Sequence, residues 1–137
     1  MDIENKGKQY KSDSVMVYSC QYHVVFAPKY RRHILNPPID ERLKQLILEK
    51  AHELNCDVLD MEVMPDHVHL LLDVNPKIGI YDVVTAIKGF SAHMLRSEFP
   101  WLKTKLPCLW TRSKFISTVG TVSLDVVKRY IEGQKRK

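Results

Sequence analysis

The sequence predicts an α+β domain in which an antiparallel sheet carries helices on one face and leaves the other open. Two observations predict it. The hydrophobic pattern switches between period two and helical spacing in the order strand, helix, strand, strand, helix, strand. In addition, the run His67-Val68-His69-Leu70-Leu71-Leu72-Asp73-Val74 sends Val68, Leu70, Leu72 and Val74 to one side and His67, His69 and Leu71 to the other. One uniformly apolar side beside a mixed one is the pattern of a sheet packed on a single face.

The elements follow in order. Residues 1–14 are polar and read as an N-terminal arm, with 15–137 forming one domain. From Met16 to Ala27, Tyr18, Cys20, Tyr22, Val24 and Phe26 alternate with Ser19, Gln21 and His23, which predicts a strand. Pro28 and the basic turn Lys29-Tyr30-Arg31-Arg32-His33 end it. After Pro37-Pro38, Leu43, Leu46, Ile47, Ala51 and Leu54 recur at helical spacing over 39–55, with a stop near Asn55. Residues 56–64 make a second strand, and the tight Pro65-Asp66 turn returns the chain as the histidine strand, an antiparallel hairpin. A second helix runs from about Ile80 to Phe99 through Gly89, and Pro100 ends it. Residues 108–119 contain a fourth strand, and Ser123 caps a last helix with Asp125 in its first turn. The order is the split βαβ pattern of ferredoxin-like folds, two helices on one face, with an appended C-terminal helix that carries Tyr130.

Composition bounds the function. A chain of 137 residues, 45% hydrophobic with four Phe, six Tyr and two Trp, folds as one globular domain. Its 21 basic against 16 acidic residues leave +5, which favours an anionic partner. No signal peptide and no membrane-spanning apolar run is visible, so a cytoplasmic protein with no membrane association is expected. Cys20, Cys56 and Cys108 are odd in number and widely spaced, and read as reduced thiols without a metal or redox pattern.

Two constellations carry chemistry. His67 and His69 project from the same side of a strand with Cα atoms roughly 7 Å apart. Both rings can converge on one divalent metal, or the strand simply has two histidines on its solvent face. In the last helix, Tyr130 and Gln134 stand one turn apart on one face, while Leu124, Val127 and Ile131 form the docking stripe. Taken alone, that pair reads as a packing aromatic and a solvated amide. Taken together, the two constellations match one mechanism. A phenol of pKa near ~10 is a weak nucleophile at neutral pH. A neighbouring divalent cation strengthens it and polarises the phosphate under attack. His67, His69 and the amide oxygen of Gln134 make three ligands and add no negative charge to repel a nucleic acid.

These residues resemble a known family. Tyr22-His23-Val24-Val25-Phe26-Ala27-Pro28-Lys29-Tyr30-Arg31-Arg32, Met64-Pro65-Asp66-His67-Val68-His69, Ser117-Thr118-Val119-Gly120-Thr121-Val122-Ser123 and Tyr130-Ile131-Glu132-Gly133-Gln134 occur in the order and at the distances found in single-tyrosine HUH transposases of the smallest bacterial insertion sequences, the IS200/IS605 group. The resemblance covers nearly the whole chain. It implies a ferredoxin-like core, a homodimer, a divalent metal (Mg²⁺ or Mn²⁺) and cleavage of single-stranded DNA through a 5′-phosphotyrosine. Carried over by position, His67, His69 and Gln134 are the metal ligands and Tyr130 is the nucleophile. It further implies that the tyrosine helix of one subunit completes the site of the other, and that short hairpins near the element ends are the recognised DNA.

Candidate DNA contacts are Lys29, Arg31 and Arg32 after the first strand, Lys88 on the second helix, Arg112 before the fourth strand, and Lys128 and Arg129 beside the nucleophile. Gly120 reads either as a hinge for the last helix or as a turn glycine with positive φ, and Asp66 as a turn former or a partner of the metal site. His23, Asp73 and Lys114 have no assigned role; the family pattern leads one to expect an apolar or aromatic residue where Lys114 stands. Two other readings stay open: a catalytically silent hairpin-binding protein on the same fold, and a metal nuclease that uses water and has no need of Tyr130.

Overall fold

A computed structural model describes residues 4–5, 8–9, 11–12 and 16–120. Its core is a four-stranded antiparallel sheet built from β1 (Gln21–Phe26), β2 (Asp57–Met64), β3 (His67–Asp73) and β4 (Phe115–Thr118), in the order β2-β3-β1-β4. The connections are α1 (Ile39–Glu53) between β1 and β2, and α2 (Ile80–Glu98) with the short α3 (Trp101–Lys105) between β3 and β4. This is the expected split βαβ arrangement. The last helix, with Tyr130 and Gln134, lies outside the described residues.

One face of the sheet is the core, as the alternation requires. Val24 and Phe26 of β1 and Val68, Leu70 and Leu72 of β3 are buried against Leu43, Leu46 and Ile47 of α1 and Val83, Val84, Ile87 and Leu95 of α2. Trp110 closes one end of this core: its ring meets Phe26 edge-on at 4.7 Å, and its Nε1–H donates to Ser91 Oγ at 3.1 Å. The Ser91 hydroxyl in turn donates to the Ile87 carbonyl at 2.7 Å, so both buried polar groups are satisfied.

Asn55 ends α1 as expected, and the reason is visible in the backbone. Asn55 adopts φ 53°, its N–H donates to the His52 carbonyl, and the Cys56 N–H reaches back to Ala51. The paired return bonds around a left-handed residue form a Schellman cap. In the 3-10 turn after β1, Tyr30 (φ 61°) and Arg31 (φ 49°) are also left-handed. Gly120 has φ 53°, which fits the turn-glycine reading.

Three features depart from the expected elements. The first strand is interrupted: Val17–Tyr18 pairs with Lys11–Ser12 of the arm, and only Gln21–Phe26 joins the main sheet. The break falls where Asp73 Oδ1 accepts the Cys20 N–H at 3.3 Å and the Cys20 carbonyl accepts from Val74, so the strand changes partners there. Pro100 ends α2 but also opens α3, anchored by fully buried Leu102. In β2 the register shifts between Val58 and Asp60, a bulge at half-exposed Leu59 on the edge of the sheet. The arm also touches the sheet: the Lys11 ammonium pairs with the Asp57 carboxylate at the start of β2.

Candidate active site

The open face of the sheet gathers the polar residues. Register fixes their neighbours: Met64 stands opposite His67, Glu62 and Val25 flank His69, and Asp60 and His23 flank Leu71. His67 and His69 are both half-buried on this face, as the alternation predicts. The hairpin turn that launches β3 does more than reverse the chain. Asp66 Oδ1 accepts the Nδ1–H of His67 at 2.9 Å, while Oδ2 accepts from an Arg31 guanidinium N–H, also at 2.9 Å. The hydrogen bond from His67, and then those from Arg31, hold the Asp66 carboxyl below its ordinary pKa. With Nδ1 committed to the carboxylate, His67 presents Nε2, the arrangement in which an imidazole is oriented for a metal by an outer anion.

His69 is held differently. Its Nε2 lies 3.0 Å from Nδ1 of His23 on the neighbouring strand, and the two rings stack with centroids 5.1 Å apart at 18°. His23 is the neighbour of His69 to which the sequence alone assigns no role. Its place on the polar side of β1 is legible, but its diagonal contact with His69 depends on the β1–β3 register, which no local pattern specifies.

The basic candidates divide. Arg31 reaches the rim of the histidine site through Asp66, and its side chain remains mostly exposed. Lys29 lies over the Tyr30 ring at 5.4 Å in the same turn, and Arg32 is exposed beside it. Arg112 is exposed before β4. Lys88 points inward instead: its ammonium donates to the Thr111 carbonyl at 2.7 Å and lies 5.9 Å from the Phe26 ring. Burial, and then repulsion from Lys114, push its pKa down. Lys114 itself sits over the Tyr81 ring at 4.5 Å in a cation–π contact. Lys128, Arg129, Tyr130 and Gln134 lie outside the described residues.

Among the described residues no three His, Cys, Asp or Glu side chains are grouped to hold a metal ion. The donor set of His67 and His69 nonetheless suits a divalent cation, with an outer carboxylate already in place on His67. No helix among the described residues is long and apolar enough to cross a membrane.

Comparison with known proteins shows the family and the fold. The family model described as "Transposase IS200 like" matches residues 16–134. The chain is 39% identical over 134 residues to the ISDra2 transposase TnpA of Deinococcus radiodurans, covering 96% of this chain and 91% of that protein. It is 32% identical over 123 residues to the transposase for insertion sequence element IS200 of Salmonella typhimurium, covering 86% and 81%. A Deinococcus radiodurans R1 crystal structure described as a candidate transposase superposes with TM-score 0.75 at 37% identity, over 90% of this chain and 97% of that one. The structure of a REP-associated tyrosine transposase bound to a REP hairpin shares the fold, with TM-score 0.58 at 15% identity over 92% and 74% of the two chains.

Proposed function

This chain belongs to the IS200-like transposase family, a family of DNA-processing enzymes, and we propose that it cuts and rejoins single-stranded DNA through a 5′-phosphotyrosine on Tyr130. The observation that supports this reading best is the pair His67 and His69 on the sheet face that no helix among the described residues covers, with Asp66 committed to Nδ1 of His67. A silent binding protein has no use for an imidazole oriented in this way.

In this mechanism the Tyr130 phenol oxygen attacks a backbone phosphorus and gives up its proton. The bond from phosphorus to the 3′ oxygen breaks, that oxygen takes a proton, and the phosphate stays esterified to Tyr130 through its 5′ side. Rejoining reverses the exchange: another 3′-hydroxyl attacks the same phosphorus and expels the tyrosine, so no external energy source is needed. His67, His69 and Gln134 would hold a divalent ion, Mg²⁺ or Mn²⁺, which supplies Lewis-acid polarisation of the phosphate. Arg31, at the rim beside Asp66, and Lys29 and Arg32 of the same turn would meet the DNA backbone. We further read the protein as a homodimer whose sites combine histidines of one subunit with the tyrosine helix of the other, acting on subterminal hairpins.

The test is Tyr130→Phe. The variant is expected to keep its fold and its affinity for a hairpin substrate while losing cleavage and the covalent protein–DNA adduct seen on denaturing gels. Cleavage at the parent rate by the phenylalanine variant overturns the reading in favour of a nuclease that uses water.

A further inference from the structure

His23 and His69 sit with Nδ1 and Nε2 3.0 Å apart, their rings stacked, on adjacent strands of the open face. A nitrogen–nitrogen hydrogen bond between two imidazoles requires one nitrogen protonated and the other bare. Two tautomeric arrangements satisfy it. If His23 is the donor, the Nε2 lone pair of His69 is consumed and its Nδ1 carries the proton, so His69 has no nitrogen left for a metal. If His69 is the donor, its Nε2–H is fixed toward His23 and its Nδ1 is bare.

We propose that His23 is the positioning residue of His69, accepting its Nε2–H and thereby making Nδ1 the ligating nitrogen. The inference rests on the metal reading above. It gives each histidine of the motif its own outer partner: Asp66 holds Nδ1 of His67, His23 holds Nε2 of His69, and the two rings offer opposite nitrogens. Such outer partners fix the tautomer and ring orientation of metal-binding histidines. His23 is not a ligand through Nδ1 in this arrangement, since that nitrogen accepts from His69 Nε2. The alternating backbone accounts for the asymmetry. Asp66 immediately precedes His67 in the turn and reaches the near side of its ring, whereas His23 approaches His69 diagonally from the next strand and meets the far side.

The test has two arms, and neither relies on cleavage. In the full-length, metal-free protein with ¹⁵N-labelled histidine, long-range ¹H–¹⁵N correlation is expected to show His69 protonated on Nε2 and His67 protonated on Nδ1. A His69 protonated on Nδ1 overturns the proposal without touching the assignment of Tyr130. In the second arm, Mn²⁺ affinity is measured by electron paramagnetic resonance. His23→Ala is expected to weaken it about ten- to a hundred-fold. His23→Asn, whose Oδ1 stands near the place of the imidazole Nδ1, is expected to restore it to within a few-fold. Parent-like affinity in His23→Ala overturns the proposal, as does an asparagine variant no better than alanine. Tighter binding in His23→Ala also overturns it, since His23 would then compete with the ion for His69. Failure of the parent protein to bind Mn²⁺ overturns the metal reading itself, and the NMR arm tells that outcome apart from an error about His23.

Discussion

Asp66 Oδ1 lies 2.9 Å from the Nδ1 of His67, the residue that follows it. The same carboxylate receives Arg31 from a turn whose backbone is left-handed at Tyr30 and Arg31. Two successive non-glycine residues with positive φ are costly, and such conformations cluster where the surroundings enforce them for a purpose. Here the turn brings the Arg31 guanidinium to the carboxylate that accepts from His67. Asp66→Ala is therefore expected to lower Mn²⁺ affinity and single-strand cleavage about ten- to a hundred-fold. Asp66→Asn should fall between alanine and the parent, because the amide oxygen still accepts from His67. Titration of metal into each variant, followed by cleavage assays, checks the order. Unchanged affinity in Asp66→Ala would leave Asp66 with its turn role alone.

Much of this site is legible in the amino-acid sequence. The alternation of Val68, Leu70, Leu72 and Val74 places both histidines on the open face, because a one-residue slip would bury both imidazoles. The helix stops at Asn55 and Pro100 are equally plain, since each acts through local backbone chemistry. The features that local pattern misses depend on pairing between distant segments. The contact of His23 with His69 follows from the β1–β3 register. Lys88 has the sequence context of a surface charge fit for DNA, yet the 111–113 segment folds back over its ammonium. The short α3 offers only Leu102 as a buried anchor, too little pattern to register as a helix. The break at Ser19–Cys20 is hidden because alternation continues through it while the hydrogen-bond partner changes.

Gly89 offers a stability test far from the site. It is exposed in the middle of α2, and a Cβ built there meets nothing within 4 Å. Gly89→Ala removes backbone freedom from the unfolded chain and should stabilise the fold by about 0.5–1 kcal/mol. Urea unfolding monitored by circular dichroism measures it. A loss of stability would show that α2 needs glycine for a contact beyond the described residues.

Cys56 gives the expected pH dependence. Burial pushes its thiol from 9.0 to about 11, with Lys11 opposing and Asp73 adding to the rise. A raised pKa in the folded state means that the folded protein holds this proton more tightly than the unfolded chain does. The associated stability is fully present below pH 9.0 and is lost as pH climbs through about 11. Between those limits, unfolding free energy should fall more steeply in the parent than in Cys56→Ala, which lacks the thiol. The same burial predicts that Cys56 in the native protein resists alkylation near neutral pH while remaining reactive in denaturant. Equal slopes in the two proteins, or ready native alkylation, would contradict the shift.

The last prediction concerns where the nucleophile comes from. Tyr130 follows the edge strand β4 in sequence, past the turn glycine Gly120, and among the described residues the sheet order β2-β3-β1-β4 places no further strand beyond that edge. An element that swaps between identical protomers does so at small cost, because it remakes in the partner the contacts it gives up in its own chain. We therefore expect active sites assembled from two subunits, and a mixing experiment reads this directly. Tyr130→Phe chains are inactive for want of a nucleophile, and chains carrying His67→Ala with His69→Ala are inactive for want of metal ligands. In a heterodimer with swapped helices, one site joins an intact histidine pair to an intact Tyr130, while the other lacks both. Mixing the two variants should then restore cleavage, approaching about a quarter of the parent rate when subunits pair at random, half the dimers being mixed and each having one working site of two. If every chain builds its own site, each site lacks one component or the other and the mixture stays inactive. Differently tagged chains, co-purified from the mixture, establish that subunits have exchanged. With exchange demonstrated, an inactive mixture assigns the tyrosine and the histidines of each site to the same chain.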